Sequence, residues 1–302
     1  MSDTTASLQR KIRSAKDLQS VVRTMKAMAA SCVGQYESAV RSLDEYFRTV
    51  QLGLVVCIPA NTSTVPNIVA KHETGATGVI VIGSDQGLVG QFNDVLAAFV
   101  STTLERLPGK KIIWAVGERI LSRLAETQPG QLGRFTLPNS IHAITPLVGQ
   151  ILIEMETHRE QGAISQVYLF HNRPTFGVIY APVCQRLLPL DDAWQRDIAS
   201  IPWPTKNLPE IVNAPDQTFL AVVREYLFVS LFRACAESLT SENASRLAAM
   251  QRAEKNIDEL LEDLRRTYHH LRQSSIDEEL FDVTSGFEGL CSEGSRSKRS
   301  RS

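Results

Sequence analysis

The chain has 302 residues, with 32 basic and 33 acidic side chains and a formal net charge of −1. This balance leaves no overall field that would attract nucleic acid or an anionic membrane surface. No run approaches the roughly 18 consecutive apolar residues that a membrane span needs, and the polar N-terminus does not read as a secretory signal. We therefore expect a cytosolic chain that meets a membrane only through partners.

An apolar seam runs along the N-terminal part of the chain. Its positions follow one another in steps of four and three, which averages 3.5 residues and is typical of a left-handed coiled coil. Only Gln19 and Lys26 on the seam are polar. The pattern predicts a coiled-coil helix over residues 1–58. The seam consists of Leu8, Ile12, Ala15, Gln19, Val22, Lys26, Ala29, Val33, Tyr36, Val40, Leu43, Phe47, Val50 and Leu54.

The middle of the chain, residues 59–214, reads as an α/β domain. Short β-branched runs flanked by turn formers predict its strands, and periodic stretches between them predict its helices. The predicted strands are 78–83, 111–117, 166–171 and 183–190. The predicted helices are 93–107, 118–127 and 146–161. Alternating strands and helices indicate βαβ units and a mostly parallel, Rossmann-like sheet. Turn formers over 59–66 and prolines over 201–215 mark its boundaries.

A second long helix is predicted over residues 215–290. Residues 216–285 contain neither Gly nor Pro, and a helix of that length would reach about 100 Å. Ile257, Leu261 and Leu264 begin a four-three seam that predicts antiparallel pairing with the N-terminal helix. The spacing slips at Ile276, where we expect this helix to continue without its partner. The low-complexity basic segment 291–302 predicts a disordered tail.

The sequence shows no spacing typical of a catalytic or metal site. Its five cysteines are scattered without a C-x-x-C pair, and no histidines have metal-ligand spacing. The segment 83–90, GSDQGLVG, follows a predicted strand and precedes a helix, but it matches neither phosphate-loop pattern. A structural turn is therefore favoured over nucleotide binding. We expect no catalytic residue, no cofactor and no metal.

Three segments carry a family pattern. Residues 22–31 read VRTMKAMAAS, residues 84–93 read SDQGLVGQFN, and residues 233–250 read RACAESLTSENASRLAAM. They resemble TKAMKMVAAS, SDRGLCGGFN and RALAESLASEHAARMAAM of the γ subunit of F-type ATP synthases. Residues 272–276 and 285–286 match the ending of that family. The resemblance covers both long helices and the first strand–turn–helix unit, in the same order.

The resemblance implies a central-stalk rotor shaft. Such a subunit couples the flow of protons or sodium ions through a membrane rotor ring to ATP synthesis or hydrolysis by rotation. The implied partners are the α and β subunits of the catalytic ring, an ε-type subunit and the membrane rotor ring. Nucleic-acid binding and direct membrane insertion are not implied. The chain would be non-catalytic and peripheral, on the cytoplasmic face of the bacterial inner membrane.

The resemblance also assigns subunit contacts to particular side chains. Met25 and Lys26 fall at the neck position that faces β, and Glu242 and Arg246 lie on the facing stretch of the C-terminal helix. Arg272 and Gln273 match positions that hydrogen-bond a β loop deeper in the ring, a task that suits a planar guanidinium. These six residues are the predicted site.

The chain departs from the family at several positions. Gln86, Val89 and Gln91 replace its Arg, Cys and Gly in the turn, and Ala214 stands where an acidic residue is frequent. The departures indicate a divergent branch, such as an alternative bacterial F-type ATPase. Two other classes of protein remain open. One is a nucleotide-binding α/β enzyme with coiled-coil arms, and the other is a static coiled-coil scaffold.

Overall fold

The computed structural model describes residues 4–60, 75–127, 131–207, 209–212 and 214–299. Two long helices bracket a central α/β region, as the sequence predicts. The elements in chain order are α1 (Thr5–Ala60), β1 (Ala76–Ile82), α2 (Phe92–Glu105), β2 (Lys111–Val116), α3 (Glu118–Thr127), β3 (Gln131–Phe135), α4 (Ile144–Glu160), β4 (Ile164–Thr175), β5 (Val178–Leu188), α5 (Asp192–Ala199) and α6 (Pro215–Arg299). None of the helices in these ranges is long and apolar enough to cross a bilayer.

The chain divides into two compact units. One contains residues 1–26 and 250–302, and the other contains residues 27–249. The division differs from the predicted domain boundaries, because residues 27–60 of α1 and residues 215–249 of α6 belong to the unit that contains the sheet. Each unit is therefore described by itself.

A five-stranded sheet forms the centre of the unit 27–249. Its strand order is β3-β2-β1-β4-β5. The first four strands are parallel, with Val79 opposite Ile113 and Val81 opposite Phe170, whereas β5 runs antiparallel to β4. Nearly every residue of β1 is buried, which is typical of a strand covered by helices on both faces. The predicted Rossmann-like sheet is thus confirmed, with one antiparallel edge strand.

The two faces of this sheet carry different layers. Val79, Val81 and Phe170 pack on one face against α2 and α3, through side chains such as Leu96 and Leu124. The opposite face forms a larger apolar core with α4 and with the parts of α1 and α6 that belong to this unit. Its buried members include Ile80, Trp114, Val148, Leu54 and Leu231. The sheet is therefore the middle of three layers.

The long helices α1 and α6 pair antiparallel within the unit 27–249. Asp44 Oδ1 of α1 lies 2.8 Å from Arg233 Nη2 of α6, and Phe47 stacks on Tyr226 with ring centroids 5.7 Å apart. Tyr36 and Val50, both from the predicted seam, are buried. The seam therefore faces the core.

In the unit 1–26 with 250–302, the described parts of α1 and α6 form a helix pair. Gln9 Nε2 donates to Tyr268 Oη at 2.7 Å, and Arg23 Nε donates to Glu254 Oε1 at 2.8 Å. From Gln9 to Arg23 along α1, the contacted residue on α6 moves back from Tyr268 to Glu254, so the two helices run antiparallel. Leu8 is buried in this seam. Beyond the predicted slip at Ile276, described side chains such as Leu280, Phe281 and Val283 are exposed.

Several elements differ from the expected bounds. Strand β3 was not predicted, because its sequence QLGRF contains no β-branched residue. Helix α5 was not predicted either; Asp191 caps it by accepting a hydrogen bond from the Trp194 amide at 3.1 Å. Helix α6 continues to Arg299, into the segment expected to be disordered. Most of the turn-rich stretch predicted over 59–66 lies outside the described residues.

Candidate functional site

Helix α6 lies across the carboxyl ends of β1 and β4. The strand order reverses between these two strands, which is where open α/β sheets bind their ligands. Ser238 Oγ donates to the carbonyl of Ile82, the last residue of β1, at 3.0 Å. Ser241 Oγ lies 3.1 Å from the carbonyl oxygen of Asn172 in β4 and 2.9 Å from that of Glu237 in α6, so its one proton is shared between the two. The crevice of this fold is therefore occupied by the chain's own helix.

The turn between β1 and α2 is held by its own side chains. Ser84 and Asn93 exchange hydrogen bonds, with the Ser84 amide donating to Asn93 Oδ1 at 3.1 Å and Asn93 Nδ2 donating to Ser84 Oγ at 2.8 Å. Asp85 Oδ1 accepts from the Glu118 amide at the start of α3, which is a helix cap. Ser245 Oγ of α6 donates to the Val89 carbonyl at 2.6 Å. These contacts give the segment 83–90 a structural role, as the sequence favours.

A buried carboxylate joins the same stretch of α6 to β4. The side chain of Glu237 is 3% exposed. Its Oε2 lies 2.7 Å from His171 Nε2 and accepts from Arg173 Nε at 2.8 Å, while its Oε1 accepts from Arg233 Nε at 2.9 Å. Arg233 also pairs with Asp44 of α1. The cluster balances two guanidinium charges with two carboxylates, provided that His171 is neutral.

The pKa values of this cluster agree with a neutral histidine. Burial lowers the pKa of His171, and the hydrogen bond and charge of Glu237 oppose that change without reversing it. Burial alone would raise the pKa of Glu237, but hydrogen bonds and charges from His171 and Arg173 lower it to about 2. At neutral pH, Glu237 is therefore ionised and His171 Nε2–H donates to it.

Two predicted site residues, Glu242 and Arg246, form an ion pair one helical turn apart on α6. Arg246 Nη2 donates to Glu242 Oε1 at 2.6 Å, and its Nη1 donates to Asn243 Oδ1 at 3.2 Å. The Glu242 side chain is 4% exposed and that of Arg246 is 14% exposed. Burial raises the pKa of Glu242, and Arg246 opposes this. The pair lies beside the serine contacts with the sheet.

Lys26, a polar position on the seam, pairs across the helix pair in the other unit. Its Nζ lies 2.5 Å from Glu254 Oε2, while Arg23 contacts the other oxygen of the same carboxylate. The hydrogen bond from Lys26, followed by that from Arg23, lowers the pKa of Glu254. Gln19, the second polar seam residue, donates to Asp258. Both polar interruptions of the seam therefore have partners on α6.

The structure does not bring all six predicted residues together. Met25 and Lys26 lie in the helix-pair unit, and both are partly buried. Arg272 and Gln273 are exposed on α6. Sequence reasoning missed the residues that join α6 to the sheet. The signal available for them was the spacing of Ser238, Ser241 and Ser245, which lie on one face of a helix.

Comparison with known proteins identifies the family. The family model described as ATP synthase matches residues 4–290. The chain belongs to the ATP synthase γ-chain family. A γ chain from Polynucleobacter asymbioticus is 24% identical over 289 residues, covering 93% of this chain and 98% of the relative.

Solved structures of low sequence identity share the fold of this family. A chain of the Euglena gracilis mitochondrial ATP synthase rotor matches with a TM-score of 0.60 at 19% identity, covering 90% of this chain and 98% of that chain. A chain of its OSCP/F1/c-ring assembly gives a TM-score of 0.65 at 19% identity, covering 95% and 94%. The family resemblance read from the sequence is therefore confirmed, and the fold is that of an ATP synthase central stalk.

Proposed function

We propose that this chain is the central-stalk γ subunit of an F-type ATP synthase, which couples ion flow through a rotor ring to ATP synthesis or hydrolysis by rotation. The family match supports this function. The single structural observation that carries it is the position of α6, which fills the ligand crevice of the sheet. An α/β domain whose crevice holds its own helix is suited to hold that helix firmly rather than to bind a nucleotide.

The proposal places catalysis in other subunits. We infer that the chain is non-catalytic and that it works with the α and β subunits, an ε-type subunit and the membrane rotor ring. As part of the peripheral F1 module it would lie at the cytoplasmic face of the bacterial inner membrane. Ser238 and Ser241 occupy the crevice, which argues against the nucleotide-binding alternative. Binding of ATP by the isolated chain would support that alternative.

The subunit contacts form a second part of the proposal. Arg272 and Gln273 are exposed on α6, so their side chains can reach a β loop. Met25 and Lys26 would contact β at the neck. Lys26 would do so while it forms its ion pair with Glu254. Glu242 and Arg246 bond mainly to each other, and the 14% exposure of Arg246 leaves its outer edge for a partner.

The experiment that tests this function replaces Arg272 and Gln273 together by Ala in the assembled complex. We expect coupled ATP synthesis to fall by at least about tenfold, since charge-assisted hydrogen bonds to β are lost. The matched control is Arg106→Ala, which removes an exposed arginine directly after the last residue of α2 and should leave coupling unchanged.

Two outcomes would contradict the proposal. Unchanged coupled turnover in the Arg272 and Gln273 double variant would refute the assigned contacts. Full ATP-driven ion pumping by a complex that lacks the chain would refute the rotor function itself and would favour the static scaffold. Co-purification of the chain with α and β subunits provides the preliminary check, since a scaffold of another system would not assemble with them.

A further inference from the structure

Three serines of α6 contact three different parts of the α/β domain. Ser238 Oγ donates to the Ile82 carbonyl at the end of β1. Ser241 Oγ shares its proton between the Asn172 carbonyl in β4 and the Glu237 carbonyl of α6. Ser245 Oγ donates to the Val89 carbonyl in the turn after β1. Each serine is 5% exposed or less. Their spacing of three and four residues places all three hydroxyls on one helix face.

These contacts differ in kind from the apolar packing around them. Burial of apolar surface is favourable but non-directional, so an apolar contact alone resists sliding or turning of a helix only through its shape. A hydrogen bond has a preferred distance and angle. A buried carbonyl left without any donor pays the desolvation cost in full, whereas the Val89 carbonyl also accepts from the Phe92 amide at 3.3 Å and would keep that bond. Rotation of α6 about its own axis would break the bonds from Ser238, Ser241 and Ser245 to the α/β domain together, while Ser241 would keep its bond to Glu237 within α6.

The charged cluster reinforces the same joint. Glu237, next to Ser238, contacts both His171 and Arg173 of β4. Asn172, whose carbonyl accepts from Ser241, also donates through Nδ2 to the Phe92 carbonyl at the start of α2 at 3.0 Å. The bonds therefore tie α6 to β1, to β4 and, through β4, to α2.

We propose that Ser238, Ser241 and Ser245 are positioning residues that form a torque joint between the α/β domain and α6. The inference rests on the proposed rotor function, because torque passes through this contact only if the α/β domain and α6 are loaded in opposite directions. The hydroxyls keep the helix from turning against the sheet, so the joint is stiff. Loss of the hydroxyls makes it compliant without removing any group from a catalytic site.

The test measures torsional stiffness in the complex of this chain with its α and β subunits. The ring is fixed to a surface, and a bead is attached to the sheet through Phe176→Cys at the turn between β4 and β5, where the phenylalanine is fully exposed. The background carries Cys32→Ser, Cys184→Ser and Cys291→Ser so that the bead has one attachment point. The angular spread of the bead in a stalled complex reports the stiffness of the path from sheet to helix.

The triple variant Ser238→Ala, Ser241→Ala, Ser245→Ala should raise the angular variance roughly twofold, since it removes three of the five polar bonds described above between α6 and the α/β domain. The matched control is Thr240→Val. Thr240 is 2% exposed, and its hydroxyl donates only within α6, to the Ala236 carbonyl at 2.8 Å. The control removes a buried hydroxyl of the same helix turn and should leave the variance unchanged.

The outcomes separate this inference from the proposed function. A variance equal to wild type in the triple variant, or an equal rise in Thr240→Val, would overturn the torque joint. A wild-type complex that hydrolyses ATP without turning the bead would overturn the rotor function and the joint with it. If the triple variant does not assemble, Ser238→Ala and Ser245→Ala made singly are compared with Thr240→Val in the same way. Ser245→Thr, which keeps the hydroxyl, should restore the wild-type variance.

Discussion

Glu237→Gln keeps the size of a buried side chain but removes a charge that three donors contact. The change should destabilise the unit 27–249 at neutral pH. The pKa of Glu237 falls from its ordinary 4.5 to about 2 in the folded protein. A difference of that size corresponds to about 3 kcal/mol of stabilisation of the ionised form. The same magnitude is expected for breaking a buried ion pair.

The stabilisation by Glu237 should depend on pH in a defined direction. Because the pKa is lower in the folded chain than in the unfolded one, the contribution is complete above pH 4.5 and is lost as the pH falls through about 2. At pH 3, less than half of this contribution should remain, because the unfolded chain is then protonated at Glu237 and the folded chain is only about one pH unit above its own pKa. The gap in unfolding free energy between wild type and Glu237→Gln should therefore narrow by more than half between pH 7 and pH 3.

The measurement is urea unfolding of the full chain followed by tryptophan fluorescence. All three tryptophans, at positions 114, 194 and 203, lie in the unit that contains Glu237. Asp44→Asn is the matched control, because Asp44 pairs with the same Arg233 but is 49% exposed, and it should cost less than about 1 kcal/mol. A gap that stays constant with pH, or an equal effect of Asp44→Asn, would refute the reasoning.

Three further predictions follow from burial and charge. Leu54→Ala should cost about 2–5 kcal/mol of unfolding free energy, because Leu54 is fully buried, whereas Leu18→Ala should cost far less, because Leu18 is 53% exposed; urea unfolding measures both. His171→Gln should flatten the pH dependence of stability below pH 6.5, since burial lowers the pKa of His171 and only the unfolded chain takes up the proton there. The unfolding free energies of wild type and variant are compared at pH 7 and pH 5. Cys235, fully buried with a pKa raised to about 12 by burial, should react with maleimide only in denaturant, as mass spectrometry would show.

The helix pair could be predicted from sequence because its information is local. The steps of four and three from Leu8 to Leu54 define one helix face, and the burial of Leu8, Tyr36 and Leu54 follows that face. Strand β1 can likewise be predicted, since residues 79–82 read VIVI, an uninterrupted β-branched run. Strand β3 was missed because QLGRF is held as a strand by its pairing with β2 rather than by its own composition.

The joint between α6 and the sheet could not be predicted from spacing. Ser238 and Ile82 lie 156 positions apart in the chain, and Ser241 and Asn172 lie 69 apart, so only the tertiary docking of α6 brings them together. Glu242 and Arg246 show the opposite case. Their i, i+4 spacing already indicates an intrahelical pair, and the structure has that pair, whereas their role toward β stays a prediction.

Filling the crevice with a segment of the same chain has a physical consequence for coupling. A bound ligand leaves its site at a rate set by its affinity, but α6 is tethered to the domain it enters, so its local concentration there does not depend on dilution. The contact, which combines the apolar core with a few directional bonds, can therefore persist under load. Helix α6 is one element from Pro215 to Arg299, so a force on the carbonyls of Ile82 and Asn172 acts on the same helix that carries Arg272. In other α/β folds this crevice binds a ligand, whereas in this chain it holds α6 against the sheet.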